Sequence, residues 1–303
     1  VIALRPEPLL AALMIEVAVG YPAWLFARIG HPVTWCGALI AVLEARWNHG
    51  RGRQVKGVAL LVVLVGVAAG IAYAIEMVAP WWLVVLLAAT GLAQRSLHDH
   101  LARVERPLTG HDLPAARAAV AMIVGRDVHP LDEAGVATAA IESLAESFCD
   151  GVVAPAFWFL IAGLPGLAAC KAINTADSMI GHRDDRYRAF GWAAARADDI
   201  VNFVPARIAG MAICIVGRGG VRTMLRDAGK HASPNGGWPE AAMAGVLRRR
   251  LGGPVSYDGE PAHRAVLGSG PRPDAGDLTR ALRLYRAACL AFWVSVGIVA
   301  WAR

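Results

Sequence analysis

Long apolar runs alternate with short, arginine-bearing stretches along this chain, the runs falling at 8–26, 57–79, 80–94, 152–173, 200–217 and 286–302. A helix needs roughly 20 apolar residues to cross a hydrocarbon core, and in lipid a helix satisfies its backbone hydrogen bonds within one segment. The pattern predicts an all-α, polytopic integral membrane protein with roughly 4 to 6 membrane segments, some of them possible re-entrant turns, and helical cytoplasmic inserts. The first run, interrupted by Glu16, Gly20 and Pro22, is read as a membrane helix. Val33 to Trp47 is read as a helix lying at the surface, followed by a basic loop (Arg46, Arg51, Arg53, Lys56) of the kind that stays cytoplasmic. Pro80, Trp81 and Trp82 join the next two runs into a helical hairpin with aromatic residues at the interface. The run 152–173 carries Pro155 and Gly163-Leu164-Pro165-Gly166, and reads equally as a re-entrant hairpin or a bent span.

Two polar regions separate these runs within what is read as a single membrane-embedded domain, 1–303. Residues 95–150 form a soluble helical insert: Asp112 with Pro114 starts a helix, a turn covers 125–130, and another helix begins at Leu131. Residues 218–285 are rich in Gly, Pro and Arg and are read as a polar cytoplasmic loop region, with HASPNGGWPEAAMAGVL and LGGPVSYDGE as ordered islands. The arginines of the loops favour a topology in which 152–173 and 200–217 are both re-entrant and all polar regions share one face.

Composition agrees with a membrane protein. With 56% hydrophobic and 18% charged residues and a mean hydropathy of +0.45, the chain is too apolar for an ordinary soluble domain. The net charge of +6 belongs to loops flanking apolar spans, so no nucleic-acid partner is expected. Five cysteines show no CxxC spacing and sit mostly in apolar runs, which supports neither a disulfide framework nor a zinc site. No cleavable signal is expected, because only Arg5 precedes the first apolar stretch and no small-residue cleavage site follows it.

Candidate chemistry concentrates in Lys171 to Arg207. On a helix Asn174 meets Asp177 and Ser178 at i+3 and i+4, and Asp198 and Asp199 meet Asn202 at i+4 and i+3. Two oxygen-rich faces beside hydrocarbon suit a hard cation, and Mg2+ is usually held by one or two carboxylates with substrate phosphates completing its shell. The bland readings are interhelical polar contacts for the first face and an acidic helix start for the second. Lys171, Arg183, Arg186, Arg188 and Arg196 lie between or beside the faces and would serve anionic groups. Glu142, Glu146 and Asp150 recur at i, i+4 and i+8, either as a solvated face or as a carboxylate bank able to take a proton from an attacking amine. The turn-dense segment Ser233–Glu240, which contains Asn235, offers a loop before a helix that can bind anions through backbone N–H groups. No Walker loop, dinucleotide fingerprint, H-E-x-x-H or G-x-S-x-G is present.

Several of these segments together resemble one family. IESLAESFCDGVVAPAFW, KAINTADSMIGHRDDRYRAFGWAAARADDIVNFVPAR, SPNGGWPEAAMAGVL and LGGPVSYDGE, with HPVTWCGALIAVLE and MIVGRD upstream, look like the CobD/CbiB family over nearly the whole chain. The resemblance implies a cobalamin-biosynthesis ligase of the bacterial cytoplasmic (inner) membrane, an adenosylcobinamide-phosphate synthase with its site facing the cytoplasm. It implies ATP-dependent amide formation between adenosylcobyric acid, a corrinoid, and aminopropanol or its O-phosphate. The chemistry calls for ATP as co-substrate and for Mg2+. On these positions Asn174, Asp177, Asp198, Asp199 and Asn202 are candidates for metal and phosphate. Lys171, Arg183, Arg207 and Asn235 are candidates for anionic substrate groups. Glu142, Glu146, Asp150 and Asp198 are candidates for catalysis. A homo-oligomer, or a complex with other cobalamin-assembly enzymes, is a further expectation. The chain departs from the family pattern at Ser147, His182 and Gly20-Tyr21-Pro22, the last lacking an acid near the first span. Competing readings are a prenyltransferase-like enzyme with a Mg-diphosphate site, since D-D-x-x-N and N-x-x-D occur there too, and a non-catalytic membrane sensor or transport component.

Overall fold

The computed structural model describes residues 4–302. In chain order the helices are α1 Pro6–Val19, α2 Ala23–Ile29, α3 Pro32–Trp47, α4 Arg53–Val78, α5 Trp81–Thr90, α6 Gln94–Thr109, α7 Leu113–Val120, α8 Glu133–Phe148, α9 Ala154–Ile180, α10 Trp192–Val201, α11 Phe203–Val216, α12 Val221–Asp227, α13 Gly237–Leu247 and α14 Ala275–Trp301. A π-helical turn, Cys149–Val153, links α8 to α9, and one antiparallel hairpin, β1 Arg250–Tyr257 with β2 Glu260–Gly268, precedes α14. The protein is thus an all-α polytopic membrane protein carrying a small hairpin. Among the described residues four stretches are long and apolar enough to cross a membrane: Ala23–Trp47, Arg53–Val78, Glu133–Ile180 and Ala275–Trp301. A fifth is added if Trp192–Val201 and Phe203–Val216 count as one.

The N-terminal span differs from the expected one. Gly20 adopts φ 66 and stops α1 after 14 residues, too short to cross. Membrane length is reached instead across α2 and α3, which the surface-helix reading of Val33–Trp47 did not foresee. His31 makes the restart possible. Its Nδ1 accepts the Val33 N–H at 3.2 Å while the Thr34 hydroxyl accepts the His31 N–H at 3.1 Å, a reciprocal cap ahead of Pro32.

The chain divides into two compact units. One contains α1–α5, α9, α10 and the end of α14 from Val296. Its core joins Ile40, Leu43, Leu60, Leu64, Ala172, Ala176, Ile180 and Phe190. Gly57 is what lets α4 come close: a Cβ there would stand 1.8 Å from the Phe190 carbonyl oxygen. α4 and α5 follow one another through Pro80, with Trp81 and Trp82 both exposed, but they do not pack as the expected hairpin: α4 lies against α3, α9 and α10, and the 10-residue α5 lies against α1 and α9. α9 is a single element broken once, at Gly163 with φ 64. The backbone groups freed there are satisfied within the unit, as a kink in apolar surroundings demands. Leu164 N–H donates to Glu76 Oε2 at 3.1 Å, Arg5 N–H donates to the Leu160 carbonyl at 3.1 Å, and Arg5 pairs with Glu76.

The other unit spans Gln94–Val153 and Phe203–Ser295. α6 buries Leu97, Leu101, Val104 and Leu108 at helical spacing. α7 and α8 begin where Asp112 accepts the Ala115 N–H at 3.1 Å and Asp132 accepts the Gly135 N–H at 2.7 Å. Residues 218–285 are more ordered than a loop region: they hold α12, α13, the hairpin and the first turns of α14. The hairpin turns at Asp258-Gly259, both at positive φ, the Asp-Gly signal of a tight turn. A register shift between Leu251 and Gly253 marks a bulge at Gly252, whose φ is 82.

Candidate functional site

In the first unit, the spacing on α9 and α10 brings three of the five candidate metal-site residues together. Asn174 Nδ2 stands 3.5 Å from Asp198 Oδ1, and Asn202 Nδ2 donates to Asp198 Oδ2 at 2.9 Å. Asp177 and Asp199 each lie close to a neighbour on or just past their own helix. Asp177 Oδ1 lies where a Cβ on Gly181 would be 2.0 Å away, and Asp199 Oδ2 pairs with Arg196 at 2.9 Å. Ser178 gives its hydroxyl hydrogen to the Asn174 carbonyl at 2.9 Å. Among the described residues no group of three or more His, Cys, Asp or Glu side chains is arranged to hold a metal ion. The donor set at Asp198 is one carboxylate with two carboxamides, and Asn202 is 2% exposed with its Oδ1 lacking a hydrogen-bond partner among the described residues. A buried amide oxygen left this way beside a carboxylate fits a Mg2+ ion whose remaining ligands are phosphates and water, and not an all-protein cage.

The loop between α9 and α10 is anchored through Arg186, which pairs with Glu44 at 3.1 Å. Glu44 holds the Arg186 guanidinium above its ordinary pKa by hydrogen bonding and charge. This arginine is thereby engaged in tying the loop to α3, and Arg188 lies near Asp185 at 3.9 Å. Arg183 is exposed. Lys171 lines an apolar cavity of the same unit.

The second unit gathers the carboxylate bank and two of the candidate anion-binding residues. Arg207 on α11 and Asn235, which is buried in the turn before α13, meet directly: Arg207 Nη1 donates to Asn235 Oδ1 at 3.1 Å. The guanidinium also lies over Phe203, 3.6 Å from its ring centre, and over Trp238, 4.5 Å away. No carboxylate pairs with Arg207 among the described residues. The turn backbone does not serve as an anion nest, because the Asn235 and Gly236 N–H groups both donate to the Ser233 hydroxyl, at 3.1 and 3.3 Å. Glu146 faces this turn; a Cβ on Gly236 would stand 3.4 Å from its Oε1. Asp150 sits in the π-helical turn, a feature that recurs at functional sites.

Glu142 is placed differently from its two companions. It is fully buried, Oε1 accepts the Gly252 N–H at 2.6 Å, and Oε2 accepts Arg126 at 2.5 Å and Arg264 at 3.4 Å. The bulge is what presents the Gly252 N–H. A carboxylate held by three donors and closed from solvent pins the hairpin to α8, which leaves Glu146 and Asp150 as the more accessible members of the bank. Around it stands a network that sequence reasoning did not single out. Arg264 donates to Glu240 Oε1 at 2.7 Å and to His231 Nε2 at 2.9 Å, which makes the imidazole an acceptor and therefore neutral. Burial, followed by the charge of Arg264, holds His231 below its ordinary pKa. Burial also pushes the Glu240 carboxyl well above its ordinary range, against the pull of Arg264. Burial disfavours the Arg264 cation, yet Glu240, Glu142 and Glu146 together raise its pKa. Three carboxylates thus face two guanidiniums, an excess of acid that adds to burial in raising the Glu240 pKa. The only signal in the chain was that Arg126, His231, Glu240 and Arg264 lie within or beside the MIVGRD, SPNGGWPEAAM and LGGPVSYDGE segments.

Comparison with known proteins covers nearly the full chain. The family model described as CobD/Cbib protein matches residues 9–285. A protein of Rhodobacter capsulatus named Cobalamin biosynthesis protein CobD is 51% identical over 302 residues, 96% of each chain. Proteins of the same name are 44% identical in Sinorhizobium sp, over 92% of this chain and 93% of theirs, and 42% identical in Rhizobium meliloti, over 93% and 92%. No solved structure matches.

Proposed function

We propose, from the premise that this chain belongs to the CobD/Cbib family, that it is a cobalamin-biosynthesis ligase of the bacterial cytoplasmic membrane. It joins aminopropanol, or its O-phosphate, to a propionate carboxylate of adenosylcobyric acid at the expense of ATP, on the cytoplasmic side. The observation that carries the reading is Arg207: a half-buried cation clamped between two aromatic rings and an amide, with no acid to neutralise it among the described residues. Such a group is preorganised for a carboxylate or phosphate.

A carboxylate and an amine do not condense unaided in water. The carboxylate oxygen first attacks a phosphorus of ATP to give an acyl phosphate or acyl adenylate, with ADP or pyrophosphate leaving. The amine nitrogen then attacks the acyl carbon, the C–N bond forms, the bond from that carbon to the phosphate oxygen breaks, and the nitrogen gives up a proton. Mg2+, when bound, supplies charge neutralisation for the phosphates. In this reading the candidates of the first unit, Asn174, Asp198 and Asn202, serve the metal and phosphate oxygens; taken by itself, the second unit offers Arg207 and Asn235 for an anionic substrate group and Glu146 or Asp150 for the amine proton. Asp177 and Asp199 stay candidates for the metal, and Arg183 for an anionic substrate group.

The test is reconstitution. Purified protein is incubated with adenosylcobyric acid, ATP, Mg2+ and each amine donor, and the new amide is sought by mass. Product that depends on ATP and disappears in Asp198→Ala supports the reading. Turnover of an isoprenyl diphosphate without retention of corrinoid would replace it with the prenyltransferase-like alternative.

A further inference from the structure

The first unit contains a cavity that the proposed reaction does not use. It has a volume of about 270 Å3 and lies among α3, α4, α5 and α9, with His31, Trp35, Val67, Ile71, Leu167 and Lys171 on its wall. The volume falls below the roughly 300–1,000 Å3 of typical small-molecule sites, far too little for a corrinoid. The lining is predominantly hydrocarbon, with His31, Cys36 and Thr90 among its few polar side chains, and Lys171 is its single permanently charged residue. No carboxylate pairs with Lys171 among the described residues, and the imidazole Nδ1 of His31 is already taken up in capping α3.

The mouth of the cavity is equally informative. Trp35, Val67 and Ile71 line it and are 52%, 45% and 58% exposed. Val67 and Ile71 lie in the middle of α4, a 26-residue helix long and apolar enough to cross a membrane. The cavity therefore opens sideways, toward where acyl chains are, and not toward water. A lysine can lay its aliphatic stem along such a wall while its ammonium waits for an anion at the end. Basic pockets between membrane helices are binding places for lipid head groups.

We propose that this cavity binds an anionic phospholipid of the surrounding bilayer, with one acyl chain entering past Val67 and Ile71 and its phosphate meeting Lys171. The apolar wall selects a chain and the unpaired ammonium selects negative head-group charge. This goes beyond the ligase reading and does not depend on it.

The full-length protein, purified in detergent, is mixed with phosphatidylglycerol or phosphatidylcholine of identical acyl chains, and retained lipid is counted by native mass spectrometry. Phosphatidylglycerol is expected to be retained about fivefold better, the effect of one lysine near a lipid phosphate. Lys171→Met should erase that preference while the neutral lipid binds as before. Ala168→Phe, which fills the cavity, should remove both lipids. If that variant fails to run as a single species on size exclusion, Ile71→Trp narrows the mouth from the exposed side and carries the same expectation. Equal retention of the two lipids by the unaltered protein overturns the proposal. So does a preference that survives Lys171→Met, or lipid retained when the cavity is filled or its mouth blocked.

Discussion

Arg207 and Asn235 are 28 residues apart in the chain, and their side chains are hydrogen-bonded at 3.1 Å. Between Phe203, Trp238 and this amide the guanidinium has little freedom, so its unused N–H donors point in a defined direction. Arg207→Lys keeps the charge but loses the planar fork and the stacking. It is expected to raise KM for the anionic substrate about tenfold, the loss of one charge-assisted hydrogen bond. Initial rates at varied substrate concentration check this; an unchanged KM would place the anion elsewhere.

Asp198 stands between two carboxamides, those of Asn174 and Asn202. Asp198→Ala is expected to lower amide formation by on the order of 100-fold or more. Asn202→Ala should instead raise the Mg2+ concentration needed for half-maximal rate, because it removes the buried Oδ1. A metal titration at saturating ATP separates the two, and identical Mg2+ dependence in all three proteins would remove the ion from this patch.

Glu142 with Arg126 predicts a stability effect. Their side chains are 0% and 6% exposed, and Arg126→Ala leaves the carboxylate short of its nearest cation. Breaking a buried pair from one side costs about 3–5 kcal/mol, so a large drop in melting temperature is expected. Adding Glu142→Gln to that variant should recover part of the loss. The comparison is made by thermal unfolding in one detergent.

The His231 imidazole gives a signed pH dependence. Its folded pKa lies below the ordinary 6.5, so the unfolded chain takes up its proton first as pH falls. The stability it contributes is fully present above about 6.5 and is lost as pH drops toward the folded value. Glu240 acts in the other direction. Its folded pKa lies above the ordinary 4.5, so its contribution is full below about 4.5 and lost as pH rises through the folded value. The ionisable groups around His231 are Arg264, Glu240, Glu146 and Glu142. His231→Gln should flatten the loss of melting temperature between pH 7 and 5 while leaving the Glu240 limb in place. An unaltered slope would mean that another group carries it.

Helices, membrane character and the Asp198–Asn202 pair were legible from the order of residues because each is a local relationship, whereas Asn174 reaches Asp198 only through the packing of α9 on α10. Apolar runs of membrane length, an Asp or His ahead of a proline, and amides three or four places from an acid all act within one helix or between two consecutive ones. The family resemblance also lay on the surface of the sequence. The first span was misplaced because a glycine at positive φ and a histidine cap reset the helix, and hydropathy does not weigh backbone conformation. Glu142, Glu146 and Asp150 look alike at i, i+4 and i+8. What separates them is a strand more than a hundred residues later, whose bulge aims the Gly252 N–H at one carboxylate and leaves the other two in place. The Arg264–Glu240–His231 network and the neighbours of Arg207 arise in the same way. Spacing along one helix records which side chains share a face, but whether a charge there is satisfied depends on distant segments that only packing brings near.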